Sequence, residues 1–175
     1  MPATCPTLTQ PELTGDVTSY LEPGRAALMR VADEAPFDAE RKKRNRVEEL
    51  IFFAQQRHLA RVGVAFCVSL TKEAQELARR LEAAGIHAEL ACCRVGAVDF
   101  DEIELPKAHP ERFASICNPV AQAKLLDGAG VQLIVQLGLC LGHDLILQEE
   151  AKAPVTTLVV KDRALDHHPI EALRP

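Results

Sequence analysis

Potential metal ligands are concentrated in one short segment, LGLCLGHD, at residues 137–144. It places a cysteine, a histidine and an aspartate within five residues. Zinc prefers thiolate and imidazole ligands, and iron–sulfur clusters are held by thiolates. Gly138 and Gly142 would let the backbone approach a bound group closely and would offer N–H donors to it. The segment therefore predicts a metal-binding loop in which Cys140 is the central ligand and His143 is an outer ligand or a proton carrier.

Further cysteines lie where predicted strands end or a predicted helix begins: Cys67, Cys92, Cys93 and Cys117. They form no CxxC pair, so the argument for a shared site is spatial. Cys92 and Cys93 are adjacent, and in an extended strand they would point to opposite faces of the sheet. Lys161, in VVKDR after the last predicted strand, could steady thiolates or an anionic ligand. We expect Cys140 and this set to surround a shared pocket, with at least one of the adjacent pair taking part.

Apolar runs predict four buried strands, near residues 62–68, 86–92, 131–137 and 155–160. Helical segments separate them, with Thr71 and Asn118 as predicted N-caps. This alternation is typical of α/β proteins. It predicts a three-layer, mostly parallel four-stranded sheet in the order 2-1-3-4, flanked by helices. Ligands bind such sheets at the C-terminal edge, where the strand order reverses. That point would lie beside Cys67 and Cys140.

The composition is that of an ordinary globular chain, with 175 residues of which 47% are hydrophobic and 26% charged. We predict a single α/β domain over residues 1–175, with an irregular arm at about residues 1–20. The net charge of −5 disfavours a nucleic-acid partner, because phosphate binding needs a basic surface. The chain starts without the features of a secretory signal, and no apolar run approaches the roughly 20 residues that cross a bilayer. We therefore expect a cytoplasmic protein with no membrane partner, whose thiols stay reduced.

Several segments resemble the hallmark sequences of the family catalogued as domain of unknown function 1847: CNPVAQAKLL, LGLCLGHD and KAPVTTLVVKDR. VAFCVSL and CCRVG also fit its pattern. The family is described as predicted metal-binding proteins of bacteria and archaea. The resemblance implies a soluble α/β protein with cysteine-based metal binding, without an established reaction. Members often carry a cysteine-rich N-terminal segment, of which only Cys5 remains here, so the expected ligands are the other five cysteines.

These features favour a metal- or iron–sulfur-binding protein, and the choice between zinc and an iron–sulfur cluster is left open. A second hypothesis is a metal-free thiol enzyme that uses Cys140 or Cys117 as nucleophile and His143 as base. A third is a regulatory domain that binds a small molecule. Classical dinucleotide or NTP binding is disfavoured, because the chain lacks GxGxxG and P-loop patterns. The sequence predicts neither a particular small-molecule substrate nor an oligomeric state, and it does not decide whether the protein is an enzyme.

Overall fold

The computed structural model describes residues 2–174, and the chain divides into two compact units after Gln56. The first unit contains these α-helices: α1 (Pro6–Thr9), α2 (Pro11–Thr14), α3 (Pro23–Glu34) and α4 (Arg46–Gln56). The second unit alternates strands with helices: β1 (Arg61–Phe66), α5 (Thr71–Ala83), β2 (His87–Cys92), α6 (Pro119–Gly128), β3 (Leu133–Leu137), α7 (His143–Glu150) and β4 (Val155–Val159). Short 3-10 helices lie at Thr18–Leu21, Val68–Leu70, Phe100–Ile103 and Pro169–Leu173.

In the first unit, the start of α4 is ordered by Asn45. Its side-chain oxygen accepts hydrogen bonds of 3.1 Å from the backbone N–H groups of Val47 and Glu48. The Glu48 carboxylate accepts in return from the Asn45 backbone N–H over 2.8 Å. This reciprocal arrangement satisfies N–H groups that a helix start leaves without partners. Arg44 stacks its guanidinium 4.2 Å from the centre of the Phe52 ring. Arg44, in the basic segment RKKRNR at residues 41–46, is thus involved in local packing.

The second unit is built on an all-parallel sheet in the order β2-β1-β3-β4, which confirms the predicted α/β class and strand order. Phe66, at the end of β1, is in register with Cys92 on one side and Leu137 on the other. The C-terminal ends of these three strands therefore lie at the same level. Helices that return to the sheet also begin at this edge, which brings the residues after the strands close together.

The sequence predicts four buried strands, but only the central strands β1 and β3 are buried; β2 and β4, at the edges of the sheet, are partly exposed. Residues of β1 and β3 are buried almost continuously, as is typical of parallel strands covered on both faces. Each helix of the second unit contributes a leucine to the core with at most 2% of its surface exposed: Leu81 of α5, Leu126 of α6 and Leu147 of α7. Cys67 and Cys93 belong to the same buried cluster, so the edge of the core carries thiols. Among the helices described, none is both long and apolar enough to cross a membrane.

Candidate functional site

Three cysteines gather at the C-terminal edge of the sheet, and we call them the thiol cluster: Cys67, Cys93 and Cys117. The Cys117 thiol lies 3.8 Å from Cys93 Sγ. Cys93 Sγ also accepts a hydrogen bond of 3.3 Å from the backbone N–H of Val68. Cys67 is near enough for its charge to affect the ionisation of Cys93. The structure therefore brings together thiols that follow β1, follow β2 and precede α6.

Backbone hydrogen bonds hold these cysteines in place just beyond the strands. The Cys67 N–H donates to the Leu137 carbonyl over 3.1 Å, and the Cys93 N–H donates to the Phe66 carbonyl over 2.8 Å. The Cys93 carbonyl then accepts from the Asn118 N–H over 2.6 Å. These bonds extend the pairing of the sheet by one residue and attach the start of α6 to it. The Cα positions at the cluster are consequently set by the sheet rather than by the thiols.

Lys161 and Ser69 surround the sulfur of Cys67. The Ser69 hydroxyl donates to Cys67 Sγ over 3.4 Å. Lys161 Nζ lies 3.5 Å from the same sulfur and 2.6 Å from Ser69 Oγ. Burial opposes ionisation of this thiol, but the Ser69 hydrogen bonds and the Lys161 charge outweigh it, so the pKa of Cys67 lies below its ordinary value. The predicted role of Lys161 beside a thiolate has a direct contact in support.

The pKa of Cys93 is shifted in the opposite direction to that of Cys67. Burial is the main cause, and it raises the pKa of the Cys93 thiol to about 12. The Val68 N–H favours the thiolate, whereas the nearby sulfurs of Cys117 and Cys67 disfavour it. With 2% of its surface exposed, Cys93 is a neutral thiol at physiological pH. The cluster thus holds a thiol whose pKa is lowered and a thiol whose pKa is raised.

Cys140 lies in the loop between β3 and α7 and has a different partner. Arg163 Nη2 donates to Cys140 Sγ over 3.0 Å. His143 is the first residue of α7, and its backbone N–H donates to the Cys140 carbonyl over 2.9 Å. Asp144 caps the turn by accepting a 2.9 Å hydrogen bond from the Gly142 N–H. The segment after β4 therefore supplies a cation to each of two thiols, since Lys161 contacts Cys67 and Arg163 contacts Cys140.

The glycines of this loop have left-handed backbone conformations, with φ of +66° at Gly138 and +92° at Gly142. A Cβ atom added at Gly138 would lie 2.3 Å from Cδ1 of Leu70. The close approach that this glycine permits is therefore to a side chain that follows β1. Nothing lies within 4 Å of a Cβ added at Gly142. Leu141, which lies between the two glycines, is 88% exposed, and Cys140 itself is only partly buried.

The adjacent side chains of Cys92 and Cys93 have different surroundings, as expected where successive residues of a strand point in opposite directions. Cys93 faces Cys117, and Cys92 is half-buried against the hydrophobic core. Within residues 2–174, no group of three or more His, Cys, Asp or Glu side chains is arranged to hold a metal ion. The Cys93–Cys117 sulfur separation nonetheless suits shared coordination. Two thiolates bound tetrahedrally by zinc–sulfur bonds of about 2.3 Å would be about 3.8 Å apart, which is the distance observed.

Sequence reasoning missed three residues at this edge: Ser69, Arg163 and Gln122. Gln122 is fully buried on α6, and its Nε2 donates to the carbonyls of Phe66 (3.3 Å) and Ala91 (2.7 Å). Its Oε1 accepts no hydrogen bond from the residues described. A glutamine within the apolar stretch PVAQAKLL was a signal for such a buried polar contact. Ser69 gave a weaker signal, as a hydroxyl two residues after Cys67.

The sequence of this chain is similar to a protein family and to a relative from an archaeon. Residues 5–158 match the family model described as "Protein of unknown function (DUF1847)". MJ0455, an uncharacterized protein of Methanocaldococcus jannaschii, is 38% identical over 133 residues, which cover 75% of this chain and 67% of the relative. No solved structure matches the chain. The family match includes β1, β2, β3, all but the last residue of β4 and every cysteine, and the chain therefore belongs to the DUF1847 family.

Proposed function

We propose that this protein binds a transition metal through the thiol cluster, either as zinc or as iron in an iron–sulfur cluster. The observation that carries the proposal is the pair of Cys93 and Cys117, whose sulfurs lie 3.8 Å apart. This separation suits two thiolates that share one ion. The pair lies at the C-terminal edge of the parallel sheet, which is the edge where such folds bind ligands. A cytoplasmic location, where thiols stay reduced, is part of the proposal.

Cys67 is the proposed third ligand. Its thiol is already polarised by Ser69 and Lys161, and thiolate is the form that binds metals. Since the described side chains form no ready group of three ligands, Cys67 must exchange these hydrogen bonds for the metal. A fourth position would then be filled by Cys92, Cys140 or His143, or by water or substrate. Three protein ligands with one open position are typical of catalytic zinc sites.

Metal analysis tests the proposal. The full-length protein is purified without oxygen, its metal content is measured, and its absorbance spectrum separates zinc, which is colourless, from an iron–sulfur cluster. We expect Cys93→Ser and Cys117→Ser each to lose most of the bound metal. Cys5→Ser is the matched control and should keep it, since Cys5 lies before α1 in the other unit. Cys140→Ser reports whether the loop after β3 provides a ligand. Unchanged metal content in both Cys93→Ser and Cys117→Ser would refute the proposal.

A second candidate is a thiol enzyme, and the contacts of Cys67 favour it. A cysteine nucleophile reacts as thiolate, and a nearby cation lowers its pKa. Cys67 has such a cation in Lys161, at 3.5 Å. The sequence favoured Cys140 or Cys117 with His143 as base. The contacts instead support Cys67 as nucleophile, with Lys161 and Ser69 stabilising its thiolate. The rate at which iodoacetamide alkylates Cys67, with and without Lys161, tests this alternative.

A further inference from the structure

Backbone hydrogen bonds, rather than contacts between the thiols, bring the two ends of the segment between Cys93 and Cys117 together. Its two arms are joined by the Phe100 N–H donating to the Ala114 carbonyl over 3.0 Å, and by the Ile116 N–H donating to the Val98 carbonyl over 2.9 Å. An isolated antiparallel bridge pairs Asp99 with Ser115. The 2.6 Å hydrogen bond from Asn118 to the Cys93 carbonyl closes the loop. The backbone therefore holds the two cysteines next to each other in the reduced protein.

The sulfurs are close enough to bond after a small movement. They lie 3.8 Å apart as thiols, whereas a disulfide bond is about 2.05 Å long. Rotation of the side chains has to supply an approach of about 1.8 Å, with the backbone already in place. Cys93 is 2% exposed and is therefore shielded from reagents, but Cys117 is only partly buried. A small reagent would reach Cys117 first.

We propose that Cys93 and Cys117 form a reversible dithiol–disulfide couple that exchanges with small disulfides of the glutathione type. The couple depends only on the sulfur pair and not on a metal. One consequence does rest on the proposed function: the disulfide would occupy both metal-ligand thiols, so oxidation would release a bound ion. The site would then bind metal only under reducing conditions.

The exchange proceeds in two steps. The Cys117 thiolate attacks one sulfur of the small disulfide, forming a mixed disulfide and releasing one small thiol. Cys93 then gives its proton to solvent and attacks Cys117 Sγ, so the Cys93–Cys117 bond forms and the second small thiol leaves. The Val68 N–H, 3.3 Å from Cys93 Sγ, stabilises the thiolate that forms in this step. Two electrons pass from the protein dithiol to the small disulfide.

Thiol mapping tests the couple. The full-length protein, treated with a chelator, is incubated with glutathione disulfide. Its free thiols are then alkylated, and the digested peptides are identified by mass spectrometry. We expect two of the six thiols to disappear, a Cys93–Cys117 cross-linked peptide to form, and dithiothreitol to reverse both changes. Cys93→Ser should trap one glutathione on Cys117, because the second step is lost. Cys117→Ser should leave Cys93 unmodified, and Cys5→Ser should behave as the unmodified chain.

Two results would overturn this inference. One is a dominant cross-link that involves Cys67 or Cys92 in the unmodified chain. The other is retention of all six thiols, which needs no variant and so does not depend on whether a variant folds. Metal content of the reduced protein is measured in parallel. A disulfide without any metal binding would refute the proposed function and leave the couple standing, whereas metal binding without a disulfide would refute the couple alone.

Discussion

Chemically identical side chains differ in acidity at this site because their surroundings differ. Cys67 is buried, yet the Ser69 hydrogen bonds and the Lys161 ammonium favour its thiolate. Cys93 is buried with only the Val68 N–H to favour its thiolate, and its pKa rises to about 12. The comparison shows that hydrogen bonds from Ser69, together with the charge of Lys161, favour the thiolate of one buried cysteine over that of another. Of these two buried thiols, Cys67 should therefore react with small electrophiles before Cys93 does in the metal-free protein.

Replacing Lys161 tests this assignment. Lys161→Met removes the charge that favours the thiolate, so the pKa of Cys67 rises and less thiolate is present at neutral pH. We expect iodoacetamide to alkylate Cys67 at least about fivefold more slowly, which corresponds to roughly 1 kcal/mol of lost charge interaction. The pH at which the rate is half-maximal should move upward. The measurement is the alkylation rate of Cys67 against pH, followed by mass spectrometry of the chelator-treated protein.

Arg163→Met is the control for this experiment, because Arg163 lies two residues away in the chain but contacts Cys140. It should leave the pH profile of Cys67 unchanged. An identical profile for Cys67 in Lys161→Met and the unmodified protein would exclude lysine activation, and the second candidate function would lose its support.

At the scale of elements, the loop between β3 and α7 depends on close packing against the segment after β1. Gly138 has φ of +66°, and its N–H donates to the Val159 carbonyl over 2.8 Å. A side chain there would collide with Leu70, which is itself buried. This contact sets how closely the loops after β1 and β3 approach each other.

Two glycine substitutions distinguish the effect of the Leu70 contact on stability from the effect of backbone strain. Gly138→Ala and Gly142→Ala both place an L side chain at positive φ, which costs about 1–2 kcal/mol. Only Gly138→Ala also collides with Leu70, so we expect it to lower the free energy of unfolding by a further 1–3 kcal/mol or so. Urea unfolding followed by circular dichroism measures both. Equal destabilisation by the two substitutions would mean that the loop can move away from Leu70.

At the scale of the whole molecule, metal binding should couple to folding. A ligand that binds only the folded chain at a hundred times its Kd stabilises that chain by about 2.7 kcal/mol. For a protein of this size, we expect a chelator to lower the Tm by about 5–10 °C. The measurement is calorimetry of anaerobic protein with and without chelator. Cys117→Ser, which lacks a proposed ligand, should show no such difference, and an equal drop in that variant would place the metal elsewhere.

Much of the fold could be predicted because its signals are local. Near-continuous apolar runs specify buried parallel strands, and Asn118 followed by Pro119 specifies the start of α6. The predicted strands end within two residues of the observed ones at this edge. The largest local difference is that β1 stops at Phe66, since Cys67 already caps the 3-10 helix Val68–Leu70. Placement of cysteines at the C-terminal edge then follows from the topology of α/β folds.

What each cysteine contacts was decided only by the tertiary structure. Cys67 and Lys161 are 94 residues apart in the chain, and Cys93 and Cys117 are 24 apart. No local pattern encodes these pairings. The sequence singled out Cys140 as the central ligand, which stays a prediction, and it gave no sign of the contact between the Cys140 sulfur and Arg163. The physical reason is that side chains reverse direction at every residue of an extended strand. Beyond the strand end, a change of one residue in where the turn begins therefore decides which thiol meets which neighbour.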